Sequence, residues 1–293
     1  MPALRRARQA EMRPASQAIH RPPQPAGDIL FFADDNAHAR AQPAVYPSGA
    51  SRPEHVAARM PDAFPGILVI TKRPAASLLR RRYVRREDIG LGRAEFAVLR
   101  RLSTPQKIQD FLSTLPQNFE PDGQTCLSVR EVLRQRRAHC IEGAMLAALA
   151  LWVHGEPPLL FDLKASRDYD HVVALFRRGG HWGALSKTNP SVLRYRDPVY
   201  RTLRELAMSY FHEYANKRNQ KTLRSWAGPL DLRRMDPKLW VSNEKSCWDV
   251  GYRLDALRHW PLVSVRQAKL LRSRDSVERE AGKARQHKPP RKR

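Results

Sequence analysis

Residues Cys140 to His154 read as a helix that is apolar on almost every side. Ala144, Met145, Leu146, Ala147, Ala148, Leu149, Leu151 and Trp152 leave it no polar stripe. A helix without a polar face cannot lie on a surface and must be enclosed by other elements. This segment therefore demands a sizeable core, and a chain of 293 residues can supply one. Gly155 stands where such a helix would stop. The run Ala144 to Val153 is too short to span a bilayer, so no membrane span is expected.

The elements that would enclose this helix are marked by local chemistry. Thr104-Pro105 predicts an N-cap with proline at the first helical position, opening a helix through Ile108, Phe111 and Leu112. Ser128-Val129-Arg130-Glu131 has the spacing of a capping box before a short helix. Pro158 to Leu163 and His171 to Phe176 read as strands. Arg177-Arg178-Gly179-Gly180 supplies a turn, and His181 to Ser186 returns as an antiparallel partner. Asp197-Pro198 predicts the start of a long helix through Leu203, Leu206, Ala207, Tyr210 and Phe211. Trp226, Trp240, Trp248 and Trp260 suggest that residues 223–265 pack onto the domain. The expected class is α+β, with the Cys-bearing helix packed on an antiparallel sheet.

The two ends read differently. Residues 1–91 are rich in Pro, Ala and Arg and are expected to be largely disordered, with short apolar islands at Ile29-Leu30-Phe31-Phe32 and Gly66-Ile67-Leu68-Val69-Ile70. Arg80-Arg81-Arg82 with Arg85-Arg86 reads as a solvated basic stretch. The domain is expected over residues 92–265, and residues 266–293 read as a basic, disordered tail that adds little to stability. Lys and Arg number 53 against 29 Asp and Glu, a formal net charge of +24. Such a field attracts nucleic acid, anionic surfaces or acidic proteins. The arginine runs lack interleaved aromatics, which keeps the nucleic-acid reading weak. Met1 to His20 has no apolar stretch of the kind a secretory signal needs. Cys126, Cys140 and Cys247 form neither a CxxC pair nor a disulfide framework, so a reducing cytoplasm is the expected compartment.

Chemistry concentrates at the mouth of the buried helix. A thiol at a helix start faces unpaired backbone N–H groups that favour its thiolate and can bind an oxyanion. His171, opening a strand, can take the thiol proton and return it to a leaving amine. On the returning strand Ser186 and Asn189 are both candidates to orient the imidazole. His139 adjoins Cys140. Because adjacent helical positions diverge by about 100°, it is expected to be a poor base but a contact for substrate.

The stretches Arg136 to Ala144, Asp170 to Ala174 and Gly180 to Ser186 together resemble the transglutaminase-like superfamily, which has a papain-like cysteine fold. Trp182 to Pro190 also looks like a bacterial branch of it. The resemblance spans roughly residues 95–225. It implies a papain-like core, Cys140 as nucleophile, His171 as general base and acid, and an orienting group at the end of the next strand. That group is usually Asp four residues after the Trp, where this chain has Ser186. Asn189 lies three residues further on.

Two functions follow as expectations. The first is cysteine-dependent acyl transfer or amide hydrolysis on a protein, peptide or amide substrate, through Cys140, His171 and Asn189 or Ser186. It needs no metal or cofactor, and none of the familiar glycine-rich phosphate loops is present. The alternative is a catalytically inactive transglutaminase-like binding module that holds an acidic protein or nucleic acid.

Overall fold

The computed structural model describes residues 80–120 and 123–289. The islands at Ile29 to Phe32 and Gly66 to Ile70, the proline-rich stretches around them and the last four positions lie outside the described residues. Among the described residues four helices come first: α1 (Arg86–Ile89), α2 (Arg93–Arg101), α3 (Pro105–Thr114) and α4 (Val129–Gln135). The long helix α5 (Cys140–Val153) follows. Thr104 caps α3 by accepting from the Lys107 N–H at 3.2 Å. Ser128 caps α4 through the Glu131 N–H, but the box is only half formed. The Glu131 carboxylate turns instead to Arg134 and Gln135.

Next come β1 (Leu159–Ala165), β2 (His171–Arg178), β3 (His181–Leu185) and β4 (Arg196–Tyr200), then helix α6 (Leu203–Ser209) and β5 (Leu223–Asp231). Helices α7 (Pro237–Trp240) and α8 (Trp248–Asp255) precede β6 (His259–Pro261). The strands form one antiparallel sheet in the order β4-β3-β2-β1-β5-β6. The β2–β3 turn is Gly179-Gly180, both with positive φ, as a two-residue mirror-image turn requires. The fold is α+β, as its sequence predicts.

Why β2 is a continuous apolar run becomes plain from the layers. Val172, Ala174 and Phe176 join the cluster around α5. Val173 and Leu175 join a second cluster with Leu206, Ala207 and Tyr210 of α6 and its C-terminal end. Both faces of the strand are covered, so alternation disappears. Helix α5 packs against β2 on one side and against α2, α3 and α4 on others. Trp152 stacks on Trp240 at 6.4 Å between ring centres.

Three expectations need correction. The ordered domain begins before residue 92: Val84, Ile89 and Leu91 are buried, and Arg81 is ion-paired with Asp88 rather than free in solvent. Asp197-Pro198 lies in β4, not at a helix start. An edge strand tolerates proline because its outer N–H groups need no partner. The helix starts later, where Thr202 accepts from Glu205 N–H at 3.1 Å and the Glu205 carboxylate returns to Thr202 N–H at 3.4 Å. Finally, residues 266–289 are not a disordered tail. They form helices α9 (Val265–Lys269) and α10 (Ser276–Ala281) and then lie along the loop after β3. There Gln286 N–H donates to Asn189 O at 2.9 Å, and Ser191 N–H donates to Ala284 O at 3.2 Å. Backbone pairing, to which apolar periodicity is blind, holds this segment.

Candidate active site

Cys140 is the first residue of α5 and is half-buried. His139 is the N-cap, with extended backbone (φ −103°, ψ −169°). The Glu142 carboxylate folds back to the His139 N–H at 2.8 Å, closing the first turn. Because His139 is not helical, the 100° divergence expected between neighbours does not hold. Its ring lies close enough to Cys140 for each to shift the other's pKa. The ring Nε2 faces Thr125 O at 2.9 Å and Glu142 Oε1 at 3.2 Å.

Glu142 is fully buried in an otherwise apolar helix. It accepts from Thr125 Oγ1 at 2.9 Å, Leu127 N–H at 2.8 Å and Asn118 Nδ2 at 3.2 Å. Burial alone would pull the His139 pKa down. The Cys140 hydrogen bond, the charges of Glu142 and Cys140, and the Thr125 carbonyl outweigh it and raise the pKa to about 10. His139 is thus an imidazolium at neutral pH, held by a buried carboxylate on one side and the sulfur on the other.

His171 opens β2 and is buried. Its Nε2 lies 2.8 Å from Ser186 Oγ. The Ser186 hydroxyl donates its proton to Leu193 O at 2.6 Å, so its lone pairs face His171. His171 Nε2 therefore carries the hydrogen, which it donates to Ser186. The register explains the meeting. Ala174 pairs with Leu185, which puts Ser186 opposite Val173 and one diagonal step from His171 on the same face. Leu193 holds a left-handed backbone (φ 59°), and its N–H donates to Glu213 Oε2 at 2.7 Å. Glu213 is paired with Arg196 at 2.7 Å.

His171 also lies close enough to Cys140 to lower the pKa of its thiol. Burial would raise the Cys140 pKa. Hydrogen bonds from His139 and His171, with their charges, lower it to about 5. The sulfur is a thiolate at neutral pH, with His139 and His171 beside it.

Asn189 does not join this group. Its Nδ2 donates to His287 O at 3.0 Å, and its Oδ1 accepts from His287 N–H at 2.8 Å. Of the two candidate orienters, Ser186 meets His171, while Asn189 anchors the C-terminal segment. Between them Lys187 is buried, its Nζ donating to Leu115 O at 2.8 Å. Burial, with the Arg194 charge, lowers its pKa to about 8. The Lys187 stem passes directly over Gly143, where an added Cβ would come 2.4 Å from Lys187 Cβ. Only glycine lets this loop, and so Ser186, sit so close to the first turn of α5.

Sequence reasoning missed the role of His139 and the whole Glu142 cluster. The clue was legible: His139-x-x-Glu142 is capping spacing, and a lone carboxylate in an apolar helix needs a purpose. The aspartates before His171 serve the loop. Asp168 accepts from Thr222 Oγ1 at 2.7 Å, and Asp170 accepts from Ala165 N–H at 2.8 Å. Among the described residues, Asp162, Asp170 and Asp255 stand close enough for a cation. Lys164 already bridges Asp170 at 2.9 Å and Asp255 at 2.6 Å, and His259 meets Asp162 at 3.0 Å. Lys164 and His259 thus occupy these carboxylates. No family model matches the chain, and comparison with curated proteins returned no significant match.

Proposed function

We propose that this protein performs cysteine-dependent acyl transfer or amide hydrolysis, as a transglutaminase-like protein with a papain-like core. One observation carries the reading: the Cys140 thiol, its pKa lowered to about 5, lies beside His139, which is backed by Glu142, and His171, whose Nε2 is held by Ser186. In the first step the thiolate attacks an amide carbonyl and a C–S bond forms. The C–N bond then breaks, and the leaving amine takes the proton that the Cys140 thiol had given up to the second His171 ring nitrogen. Water or a second amine gives its proton to the same nitrogen as it attacks the thioester, and the thiolate leaves. Free N–H groups at the start of α5 face the developing oxyanion.

Ser186 supplies orientation without charge. The carboxylate that the resemblance leads one to expect beside His171 has a counterpart across the sulfur, where Glu142 charges His139. The substrate class is a protein, peptide or other amide, and the three free cysteines suit a reducing, cytoplasmic compartment. The competing reading, an inactive binding module, draws on the missing carboxylate at Ser186. A panel of thiol-directed activity probes, read against Cys140→Ala and His171→Ala, separates the two. Probe capture at Cys140 that depends on His171, together with turnover of a peptide or amide substrate, supports the enzyme. A Cys140 that reacts no faster than a surface thiol overturns it.

A further inference from the structure

A cleft of about 780 Å³ opens between the β1–β2 loop, the start of β5 and the segment 261–273. Its lining holds four cations, Arg167, Lys221, Arg224 and Lys269, and no carboxylate. Among the described residues none of the four has an ion-pair partner. Elsewhere Lys164, Arg178, Arg196 and Arg233 each hold an acid, while many scattered surface cations among the described residues hold none; here four unpaired cations line one cleft. Asp275 is near enough to feel the Lys221 charge, but its carboxylate caps α10 by accepting from Glu278 N–H at 2.9 Å.

Arg224 is the best-placed member. It is half-buried, and one guanidinium nitrogen donates to Lys221 O at 3.0 Å and Leu223 O at 2.9 Å. Those bonds fix the fork while leaving its other N–H groups open. Burial without a counter-charge lowers its pKa, a penalty that a bound anion would relieve. Hydroxyls of Ser225 and Ser264 stand among the cations, and Val263 with Leu271 forms an apolar wall. Cations and hydroxyls together suit phosphate oxygens, and the wall suits an uncharged ring. The volume falls in the range of small-molecule sites, about 300–1,000 Å³.

We propose that this cleft binds a phosphate-bearing small molecule of nucleotide size, with its phosphates on Arg167, Lys221, Arg224 and Lys269 and its body against Val263 and Leu271. The site is independent of the reaction assigned to Cys140. Calorimetric titration of the full chain with ATP and with inorganic pyrophosphate tests it. Saturable binding is expected, tighter for ATP because the apolar wall contributes. Arg167→Glu with Lys269→Glu, both on exposed positions that the fold can spare, should weaken ATP about tenfold or more. Arg224→Gln should weaken it by a similar factor. A control carrying the same charge change elsewhere, Arg100→Glu with Arg101→Glu, should leave ATP affinity unchanged. No saturable binding, or equal weakening by the control pair, overturns the proposal. So does a single-stranded oligonucleotide that binds far tighter than ATP and loses affinity equally in both pairs, because the overall charge would then be the cause.

Discussion

Two regions of this molecule hold thiols and treat them in opposite ways. Cys126 and Cys247 are fully buried beside each other, with Cys247 N–H donating to Cys126 O at 2.8 Å. Burial and neighbouring negative charge raise the Cys247 pKa to about 12 and push Cys126 well above its ordinary value. Cys140 is also desolvated, yet its pKa falls to about 5. The neighbouring His139 and His171 reverse the sign. Burial alone makes a thiol inert, and burial with aligned donors makes it reactive.

The largest expected effect breaks or keeps that contrast directly. At pH 7 Cys247 should hold about a hundred-thousandfold less thiolate than Cys140, given pKa values of about 12 and about 5. Iodoacetamide labelling read by peptide mass spectrometry should therefore modify Cys140 alone while the protein stays folded. Equal rates at the three cysteines would erase the distinction.

Next is the scaffold of the reactive region. Gly143→Ala should destabilise the fold by about 2–3 kcal/mol, since the new Cβ overlaps the Lys187 stem near its backbone. Urea unfolding measures it, and a change below about 0.5 kcal/mol would mean that the loop gives way freely.

The donors come third. His139→Ala should raise the Cys140 pKa by about 1–2 units, and His171→Ala by a similar or smaller amount, as expected for losing one charge-assisted hydrogen bond. The pH profile of Cys140 alkylation reads this shift. Ser186→Ala should disturb the same profile through His171, whereas Asn189→Ala should leave it in place. A shifted profile in the asparagine variant would reverse the assignment of the orienter.

The smallest effect is on stability against pH. From pH 5 to 10 the native pair holds one proton, on His139. The unfolded pair holds two protons below pH 6.5, one between 6.5 and 9.0, and none above. The depressed thiol thus makes stability rise from about pH 5 to 6.5, by about 2 kcal/mol. The raised histidine makes it fall again from about 9 to 10, with a level stretch between. Subtracting the unfolding curves of a His139→Ala/Cys140→Ala variant from those of the wild type isolates this profile. A difference that climbs steadily to pH 9 would show that His139 is not charged in the native state.

Much of this contrast was written locally. The thiol at the helix start, the histidine at the strand start and the double-glycine turn are one-element features, and the structure has each where its residues imply. Asp197-Pro198 misled because proline suits a helix start and an edge strand alike, and only the neighbouring strand tells them apart. Ser186 against Asn189 was undecidable from spacing, because a strand end can place either near an imidazole. The choice came from Leu193 O claiming the serine hydroxyl and from His287 claiming the asparagine amide.

By itself, then, the sequence determined the α+β class, the enclosed helix α5 and the pairing of β2 with β3. These follow from hydrophobic period and turn chemistry acting over a few residues. Only the tertiary structure decided what charges the sulfur. Asn118 and Thr125 converge from a separate segment on His139 and Glu142 to make a hydrogen-bonded cluster, and the energy of a charge in such a place depends on every dipole around it. No local pattern encodes that sum, so Cys140 became a thiolate only once the chain was folded around it.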